Sequence, residues 1–427
     1  MKINKVITCL LFSSLLIGCN ENIEETPIEK INHELSIYIA SDLHQYSNNL
    51  LINNSDKYSK DRFTSDGRVQ EYDYDLVDSL IQEVNDDKPE YLVLTGDLSF
   101  NGEKDSLLEL KKKLDTINKD TKVLVIPGNH DCYSVNPFYI ENDEIKYQYG
   151  VTYDEFIEIF SDYGYVDAYS YDEYSLSYIY ELDESNWILM LDTNNTEYNY
   201  ELSSNIIGGF IEEKSLEWIE NNLKYASKNN INVISATHHN LLVHSEVFKT
   251  SYTINNYESL LNLYLENGVK LNLSGHLHIQ SIASEIKEDK YVYDIASGSL
   301  LDYGNRVGVL DIYSNAYDYK SHKIKFIDES FDFYQYSFDV FYNKYYNKSI
   351  VRNKNKYDRN VEEITDLLSK INCYYFDGDY REINKLVEDN KKLIRYIKRN
   401  TEDYENSYLE SIIEVENENQ HELLIEK

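Results

Sequence analysis

The sequence predicts an α/β fold of layered sheets and helices, followed by a small all-α C-terminal domain. In the first half, short apolar runs alternate with helical stretches, and this order is typical of parallel sheets covered by helices. Around residues 280–313 neighbouring strands follow without helices between them, so the sheet is expected to finish antiparallel. The length of 427 residues is enough for two domains.

Each element of the first half has its own pattern. Strands are expected at residues 35–40, 91–95, 122–126, 187–192, 231–237 and 269–273, and helices at 72–87, 104–117 and 212–227. Leu76, Leu80 and Val84 illustrate the helical pattern, because residues three or four apart lie on one face of a helix. The strands are short apolar runs, and most of them lead into segments that contain Gly, Asp or His.

The character of the chain changes at about residue 328. No proline follows Pro137, and the only glycine beyond Gly308 is Gly378. Apolar residues then recur at helical spacing, which predicts three or four amphipathic helices packed together. The predicted α/β domain therefore covers residues 35–327, and a helical C-terminal domain covers 328–427.

The N-terminus has the pattern of a targeting segment. A basic start precedes an apolar run over residues 6–17, which is too short to span a bilayer comfortably. The run ends at Gly18-Cys19, which resembles the bacterial lipobox. This resemblance implies a signal peptide over 1–18, lipidation at Cys19, a tether over 19–34 and anchoring to the outer face of a bacterial membrane. An ordinary signal peptide and a short buried helix are the alternatives.

Charge and cysteine content exclude some functions. The net charge of -35 disfavours a broad nucleic-acid surface, and a phosphate-bearing substrate would need a local positive centre such as metal ions. Cys132 and Cys373 are far apart in sequence, so a disulfide is not indicated. Cys132 is expected to be a packing residue rather than a nucleophile.

Five short segments at predicted strand ends carry the candidate chemistry. Six of the ten histidines of the chain lie in them. The segments are Asp42-x-His44, Gly96-Asp97, Gly128-Asn129-His130-Asp131, His238-His239 and Gly275-His276-x-His278. Crevices outside the carboxyl ends of strands are where open α/β sheets place their sites.

The residue types in these segments suit divalent metals. Imidazole nitrogen and carboxylate oxygen without thiolate fit manganese, iron or zinc. If the first loop is extended, Asp42 and His44 point the same way, and the same holds for His276 and His278. Gly96 and Gly275 are expected to let the backbone approach the metals closely.

The ordered set of five segments resembles the calcineurin-like metallophosphoesterase superfamily over about residues 35–313. Residues 95–103 and the segment from Gly209 to Ile219 look most like the branch that contains class III cyclic-nucleotide phosphodiesterases. The resemblance implies a layered β-sandwich flanked by helices. Some secreted bacterial members also carry a helical C-terminal domain.

The resemblance also implies the roles of single residues. Asp42, His44 and His278 would hold one metal ion, and Asn129, His238 and His276 would hold the second. Asp97 would bridge both ions. His130 would face the phosphate as the catalytic residue without binding metal. His239 stays open as an alternative to His238, and Asp131 is expected to orient its neighbours or stabilise the turn.

Three functions follow from this pattern. The first is a dinuclear-metal phosphodiester hydrolase acting at the cell surface on small diesters such as cyclic nucleotides. The second is a phosphomonoesterase or nucleotidase on the same fold. The third is a non-catalytic surface lipoprotein that binds a protein partner through its C-terminal helices. A full set of expected metal ligands argues against the third.

Overall fold

The computed structural model describes residues 28–53, 67–245, 247–357, 359–400, 404–413, 415 and 419–427. The segment predicted to be a signal peptide, residues 1–18, and Cys19 lie outside the described residues. The strands are β1 (His33–Ala40), β2 (Leu51–Ile52), β3 (Tyr91–Leu94), β4 (Lys122–Val125), β5 (Phe138–Glu141), β6 (Glu144–Tyr147), β7 (Ser170–Tyr171), β8 (Tyr178–Glu181), β9 (Asn186–Leu191), β10 (Asn232–Thr237), β11 (Leu271–Ser274), β12 (Ser281–Lys287), β13 (Lys290–Ala296), β14 (Arg306–Tyr313), β15 (Ala316–Lys323) and β16 (Glu422–Glu426). The α-helices of the described residues are α1 (Asp73–Asp87), α2 (Lys104–Leu114), α3 (Tyr153–Phe160), α4 (Asn199–Leu202), α5 (Glu213–Lys228), α6 (Tyr257–Asn267), α7 (Phe333–Lys356), α8 (Val361–Asp377), α9 (Tyr380–Asp389), α10 (Lys391–Asn400) and α11 (Tyr404–Ile413).

Two sheets form the centre of the fold. The first has the strand order β16-β15-β14-β1-β3-β4, and the second has the order β12-β13-β11-β10-β9-β8-β7. β1, β3 and β4 are parallel, as are β9, β10, β11 and β13, while the outer strands pair antiparallel. The predicted α/β fold with layered sheets and a helical C-terminal region is confirmed. The expected antiparallel finish occurs separately in each sheet, at β12–β13 and at β14–β16.

The second sheet is buried on both faces at its centre, where β9 lies. In β9, Ile188 and Met190 face the core shared with the first sheet, whereas Leu189 and Leu191 pack with α5 and α6. A strand covered on both sides needs apolar residues at consecutive positions, because successive side chains point to opposite faces. This explains why β9 has the run Trp-Ile-Leu-Met-Leu instead of an alternating pattern.

The C-terminal region differs from the prediction in two ways. It contains five described helices, α7 to α11, where three or four were expected. After α11 the chain forms β16, which pairs antiparallel with β15 of the first sheet.

The start of the first domain also differs from the prediction. β1 begins at His33, and Lys30 pairs with Asp318, although both residues lie inside the segment expected to be a tether.

The helical region is joined to the sheets by buried polar contacts. Arg306 on β14 donates from Nε to Asp377 Oδ1 over 2.7 Å, and Lys323 Nζ lies 3.0 Å from Asp377 Oδ2. Phe333, at the start of α7, belongs to the main core. None of the helices in the described part of the chain is both long and apolar enough to cross a bilayer.

Candidate dinuclear metal centre

The five motif segments lie at the carboxyl ends of β1, β3, β4, β10 and β11. Backbone hydrogen bonds connect these loops: Asp42 N donates to Gly96 O over 3.1 Å, and Gly275 N donates to His238 O over 3.0 Å. The strand ends of both sheets therefore meet at one edge, and the structure brings together every side chain expected at the site.

The loops that carry these ligands are not extended, which differs from the prediction. Asp42, His44, His276 and His278 have φ values of 54°, 40°, 64° and 61°, all in the left-handed region. Asp97 has a φ of 50°. Left-handed backbone is costly for residues other than glycine and is concentrated at functional sites. The side chains thus converge through tight turns, and not through the shared face of an extended segment.

Two glycines allow the close approach of these turns. Gly96 has a φ of 95°, and a Cβ there would lie 2.6 Å from His238 Nδ1. A Cβ on Gly275 would lie 2.9 Å from Asp42 Oδ2. Any larger residue would push the ligand-bearing loops apart. The atoms approached closely include those of neighbouring side chains, His238 at Gly96 and both Ser41 and Asp42 at Gly275. The expected approach of the backbone to the metal ions stays a prediction.

The first cluster of potential metal ligands contains Asp42, His44, Asp97 and His278, whose ligand atoms all lie within 4.8 Å of one another. His278 Nε2 is 3.1 Å from Asp42 Oδ1, and His44 Nε2 is 3.7 Å from Asp97 Oδ2. Asp42 Oδ1 is fully buried, and the ionisable group nearest to it is the imidazole of His278. A buried carboxylate oxygen of this kind fits a cation.

The second cluster contains Asp97, His238 and His276. His238 Nε2 lies 3.4 Å from Asp97 Oδ1 and 3.1 Å from Asn129 Oδ1, while its Nδ1 contacts Thr95 O at 2.8 Å. His276 Nε2 contacts Ser251 O at 2.9 Å, which leaves Nδ1 for a metal. Asp97 belongs to both clusters, so a single carboxylate connects them.

His239 lies outside both clusters. Its Nδ1 is 2.7 Å from Thr193 Oγ1, and its Nε2 is 2.7 Å from Ile207 O. Both ring nitrogens are therefore engaged by protein oxygens. The spacing in the sequence could not decide whether His238 or His239 is the metal ligand. In the structure, only His238 has a ring nitrogen directed at the second cluster.

The buried carboxylates and imidazoles of the site shift each other's pKa values. Burial opposes ionisation of Asp97, yet nearby His238 and His130 hold the pKa of its carboxyl well below the usual value. Burial lowers the pKa of His238 and His278, but Asp97 and Asp42 outweigh it and raise each pKa to about 9. Without metal, protons on these imidazoles balance the carboxylates. Cations would displace them, since ligand imidazoles must be neutral.

His130 and Asp131 have different roles in the same turn. His130 Nδ1 contacts Phe100 O at 2.8 Å, so Nε2 is the nitrogen left for a ligand in the cavity. Burial keeps the pKa of His130 below its ordinary value. Asp131 accepts from the backbone N of Leu98 and Gly128 over 3.0 and 2.8 Å. It holds the Asp97 and Asn129 loops together without entering either cluster.

Asp302 is a site residue that was not predicted from the sequence. Its Oδ2 lies 2.5 Å from His278 Nδ1 and 3.8 Å from Arg68 Nε. Burial opposes ionisation of Asp302, but the hydrogen bond from His278 and the charges around it keep its pKa below the usual value. A carboxylate behind a ligand imidazole fixes the ring and its tautomer. No motif marks Asp302, because a lone Asp in a loop has no periodic neighbours.

The other four histidines have ordinary roles. His33 is exposed, and His322 contacts Glu83. His244 is fully buried, with Nε2 3.1 Å from Asp294 Oδ2, and His421 Nδ1 lies 3.0 Å from Ser321 Oγ. Cys132 and Cys373 are buried free thiols that do not pair with each other.

A cavity of about 320 Å³ opens beside the clusters. Its lining includes five motif residues, Asp97, Asn129, His130, His276 and His278. The remaining lining residues include Arg68, Phe248, Tyr252, Lys344, Tyr345 and Phe376. The last three belong to α7 and α8, so the helical region forms part of the cavity wall.

Leu277, between the two ligand histidines, packs in the core of the helical region together with Ile364 and Ile371. The loop that holds His276 and His278 is thus anchored from the C-terminal side.

A family model described as calcineurin-like phosphoesterase matches residues 35–280. The chain belongs to the calcineurin-like phosphoesterase family. The matched range includes every motif segment and both clusters. This phosphoesterase therefore has a candidate dimetal site, a buried His and Asp cluster of the kind typical of its family.

Solved structures with similar folds share little sequence with this phosphoesterase. A dimetal phosphatase from Danio rerio is 12% identical, with a TM-score of 0.46, and the match covers 69% of this chain and 100% of that one. Vacuolar protein sorting 29 from Cryptosporidium parvum is 10% identical, with a TM-score of 0.28, and the match covers 69% of this chain and 93% of that one. A search of curated proteins gave no match.

Proposed function

We propose that this phosphoesterase is a dinuclear-metal phosphodiester hydrolase that acts at the cell surface on small diesters such as cyclic nucleotides. The observation that carries the proposal is the pair of ligand clusters that share Asp97. Asp42, His44 and His278 would hold one ion, and Asn129, His238 and His276 would hold the other. The ligand types suit manganese, iron or zinc.

Two divalent ions, when bound, supply an activated water nucleophile and neutralise the phosphoryl oxygens. The protein positions the substrate and contributes a proton donor. His130 faces the cavity through Nε2, and the charge of a bound phosphate favours its protonated form. His130 then stabilises the developing charge or protonates the leaving oxygen. A Ser or Cys nucleophile is unnecessary in this scheme, and the buried thiol of Cys132, with a pKa raised by burial, is unsuited to it.

The cavity beside the metal clusters has space for organic groups attached to the phosphate, and this space favours a diester as the substrate. Beside the metal clusters, the cavity has an aromatic wall formed by Phe248, Tyr252, Tyr345 and Phe376. Flat apolar walls suit a nucleobase or a similar ring. The likeness of residues 95–103 to the class III branch supports the same choice.

The test compares two chromogenic substrates on manganese-loaded protein. Bis(4-nitrophenyl) phosphate should be hydrolysed and 4-nitrophenyl phosphate should not, and a chelator should abolish the activity. The Asp97→Ala variant should lose both metals and all turnover, because one carboxylate connects the clusters. The reverse substrate preference would indicate a monoesterase or nucleotidase instead, and retention of two ions by Asp97→Ala would contradict the bridging role.

We also propose that Cys19 anchors the protein to the outer face of a bacterial membrane. The lipobox-like end of the N-terminal apolar run supports this location. Cells expressing the Cys19→Ser variant should no longer incorporate radiolabelled palmitate into the protein, whereas Cys132→Ser should label normally. Equal labelling of Cys19→Ser would contradict the proposal.

A further inference from the structure

Arg68 is a charged residue of the metal-site cavity that belongs to none of the five motif segments. It lies shortly before α1 and lines the cavity together with Asp97, His130 and His278. Its side chain is only 21% exposed. Neither metal binding nor proton transfer involves this guanidinium, so its place in the cavity needs another explanation.

The segment that carries Arg68 is fastened on both sides of the cavity entrance to loops of the site. Val69 N donates to Leu301 O over 3.0 Å, in the loop between β13 and β14. The next residue, Gln70, is buried, and its Nε2 donates to His44 O over 2.7 Å. These two hydrogen bonds fix the backbone next to Arg68 relative to the loops beside the first metal cluster.

The guanidinium of Arg68 has donors that the described residues do not use. Arg68 Nε lies 3.8 Å from Asp302 Oδ2, which is an ion pair but longer than a hydrogen bond. The same carboxylate oxygen is 2.5 Å from His278 Nδ1 and is therefore already engaged. A guanidinium has five N–H donors in a planar fork that matches two oxygens of a phosphate. A phosphate in the cavity would supply the acceptors that these donors lack.

We propose that Arg68 binds the non-bridging oxygens of the phosphate that is cleaved and stabilises the charge that develops on them. This inference rests on the proposed function and assigns a further catalytic residue to the same site. Arg68 would act beside His130 on the reacting group. Since its backbone is already fixed by hydrogen bonds, the guanidinium needs little rearrangement to meet the substrate, and donors held in this way are the most effective.

The test replaces the guanidinium in two ways. Arg68→Gln removes the charge, whereas Arg68→Lys keeps the charge without the planar fork. Calorimetric titration with inorganic phosphate, at saturating manganese, should give a dissociation constant about 10–100-fold higher for Arg68→Gln, the factor expected for loss of a charge-assisted hydrogen bond. Arg68→Lys should weaken phosphate binding too, because an ammonium cannot bind two oxygens in the same way. Turnover of bis(4-nitrophenyl) phosphate by Arg68→Gln should fall about a hundredfold.

A matched control is Arg381→Gln, at an exposed arginine of α9 outside this cavity, which should behave as the wild type. The manganese affinity of Arg68→Gln should equal that of the wild type, since Arg68 is not a metal ligand. Equal phosphate affinity in Arg68→Gln and the wild type would overturn the proposal. Lower manganese affinity with unchanged phosphate binding would mean that Arg68 only supports Asp302, which would also overturn it.

Phosphate binding separates this inference from the proposed function. If the wild type binds phosphate but hydrolyses neither chromogenic substrate, the proposed function fails by itself, and the phosphate affinities of the variants then decide the role of Arg68. Absence of phosphate binding by the manganese-loaded wild type would overturn the assignment of Arg68.

Discussion

At the residue scale, the site depends on where each imidazole presents its nitrogens. His238 directs Nε2 at Asp97 and Asn129, whereas both nitrogens of His239 contact other oxygens. His130 has its Nδ1 engaged by the Phe100 carbonyl, so only Nε2 can meet a substrate. Adjacent residues of the same type therefore have different chemistry because of their hydrogen-bond partners.

Replacing His130 tests catalysis separately from metal binding. The His130→Ala variant should keep its metal content, because His130 belongs to neither ligand cluster. Its turnover should fall about a hundredfold or more, as expected for the loss of a general acid. The measurement combines metal analysis with kcat on the chromogenic diester. His33→Ala, at an exposed histidine, is the control, and unchanged turnover in His130→Ala would remove this residue from the mechanism.

Replacing Asp302 tests the positioning of a metal ligand. The Asp302→Asn variant keeps the shape but loses the charge that orients His278, so manganese affinity at one site should fall about 10–100-fold. Saturating manganese should restore most of kcat, which loss of a catalytic group would not allow. Asp294→Asn is the matched control, because buried Asp294 pairs with His244, outside both clusters. Equal affinity losses in both variants would refute the specific role of Asp302.

At the element scale, the sequence predicted the strands because each motif follows a short apolar run. The structure places Asp42, Asp97 and Asn129 just beyond β1, β3 and β4, as that pattern implied. The left-handed turns at Asp42 and His44 were not predictable, because the pattern gives the end of a strand but not the path of the loop. Asp302 and Lys344 were missed because their proximity to the clusters arises only from tertiary packing.

The loop between β11 and β12 links the metal site to the helical region. Leu277→Ala should lower the free energy of unfolding by about 2–5 kcal/mol, because it empties a buried position. It should also weaken manganese binding, since Leu277 separates His276 from His278. Leu409→Ala removes a buried leucine from the same helical core without touching the loop. Urea unfolding and metal titration should show similar stability losses but weaker metal binding only for Leu277→Ala, and equal metal affinity would contradict the link.

At the scale of the whole molecule, the catalytic sheets and the helical region depend on each other. Phe333 enters the main core, Asp377 binds Arg306 and Lys323, and β16 completes the first sheet. A domain boundary near residue 328 was predicted from composition. Composition indicates where the helices begin but not which surfaces they pack against. β16 was missed because a five-residue strand after helices has no second strand nearby in sequence.

Truncation tests this dependence. A chain ending at residue 327 should not yield soluble, active protein, because it exposes apolar surface around Leu277 and leaves Arg306 without Asp377. A chain ending at residue 413 lacks β16 but keeps α7 to α11. It therefore distinguishes the contribution of the strand from that of the helices. Circular dichroism and diester hydrolysis are the measurements. A folded, fully active chain ending at residue 327 would mean that the helical region is only a docking module.

If Asp97 joins two metal ions in one site, anomalous diffraction from crystals of the manganese-loaded protein should locate both of them. We expect two anomalous peaks about 3.5–4 Å apart, on either side of the Asp97 carboxylate. One peak would lie against His44 and His278, and the other against His238 and His276. A single peak, or two peaks that do not share Asp97, would contradict this arrangement.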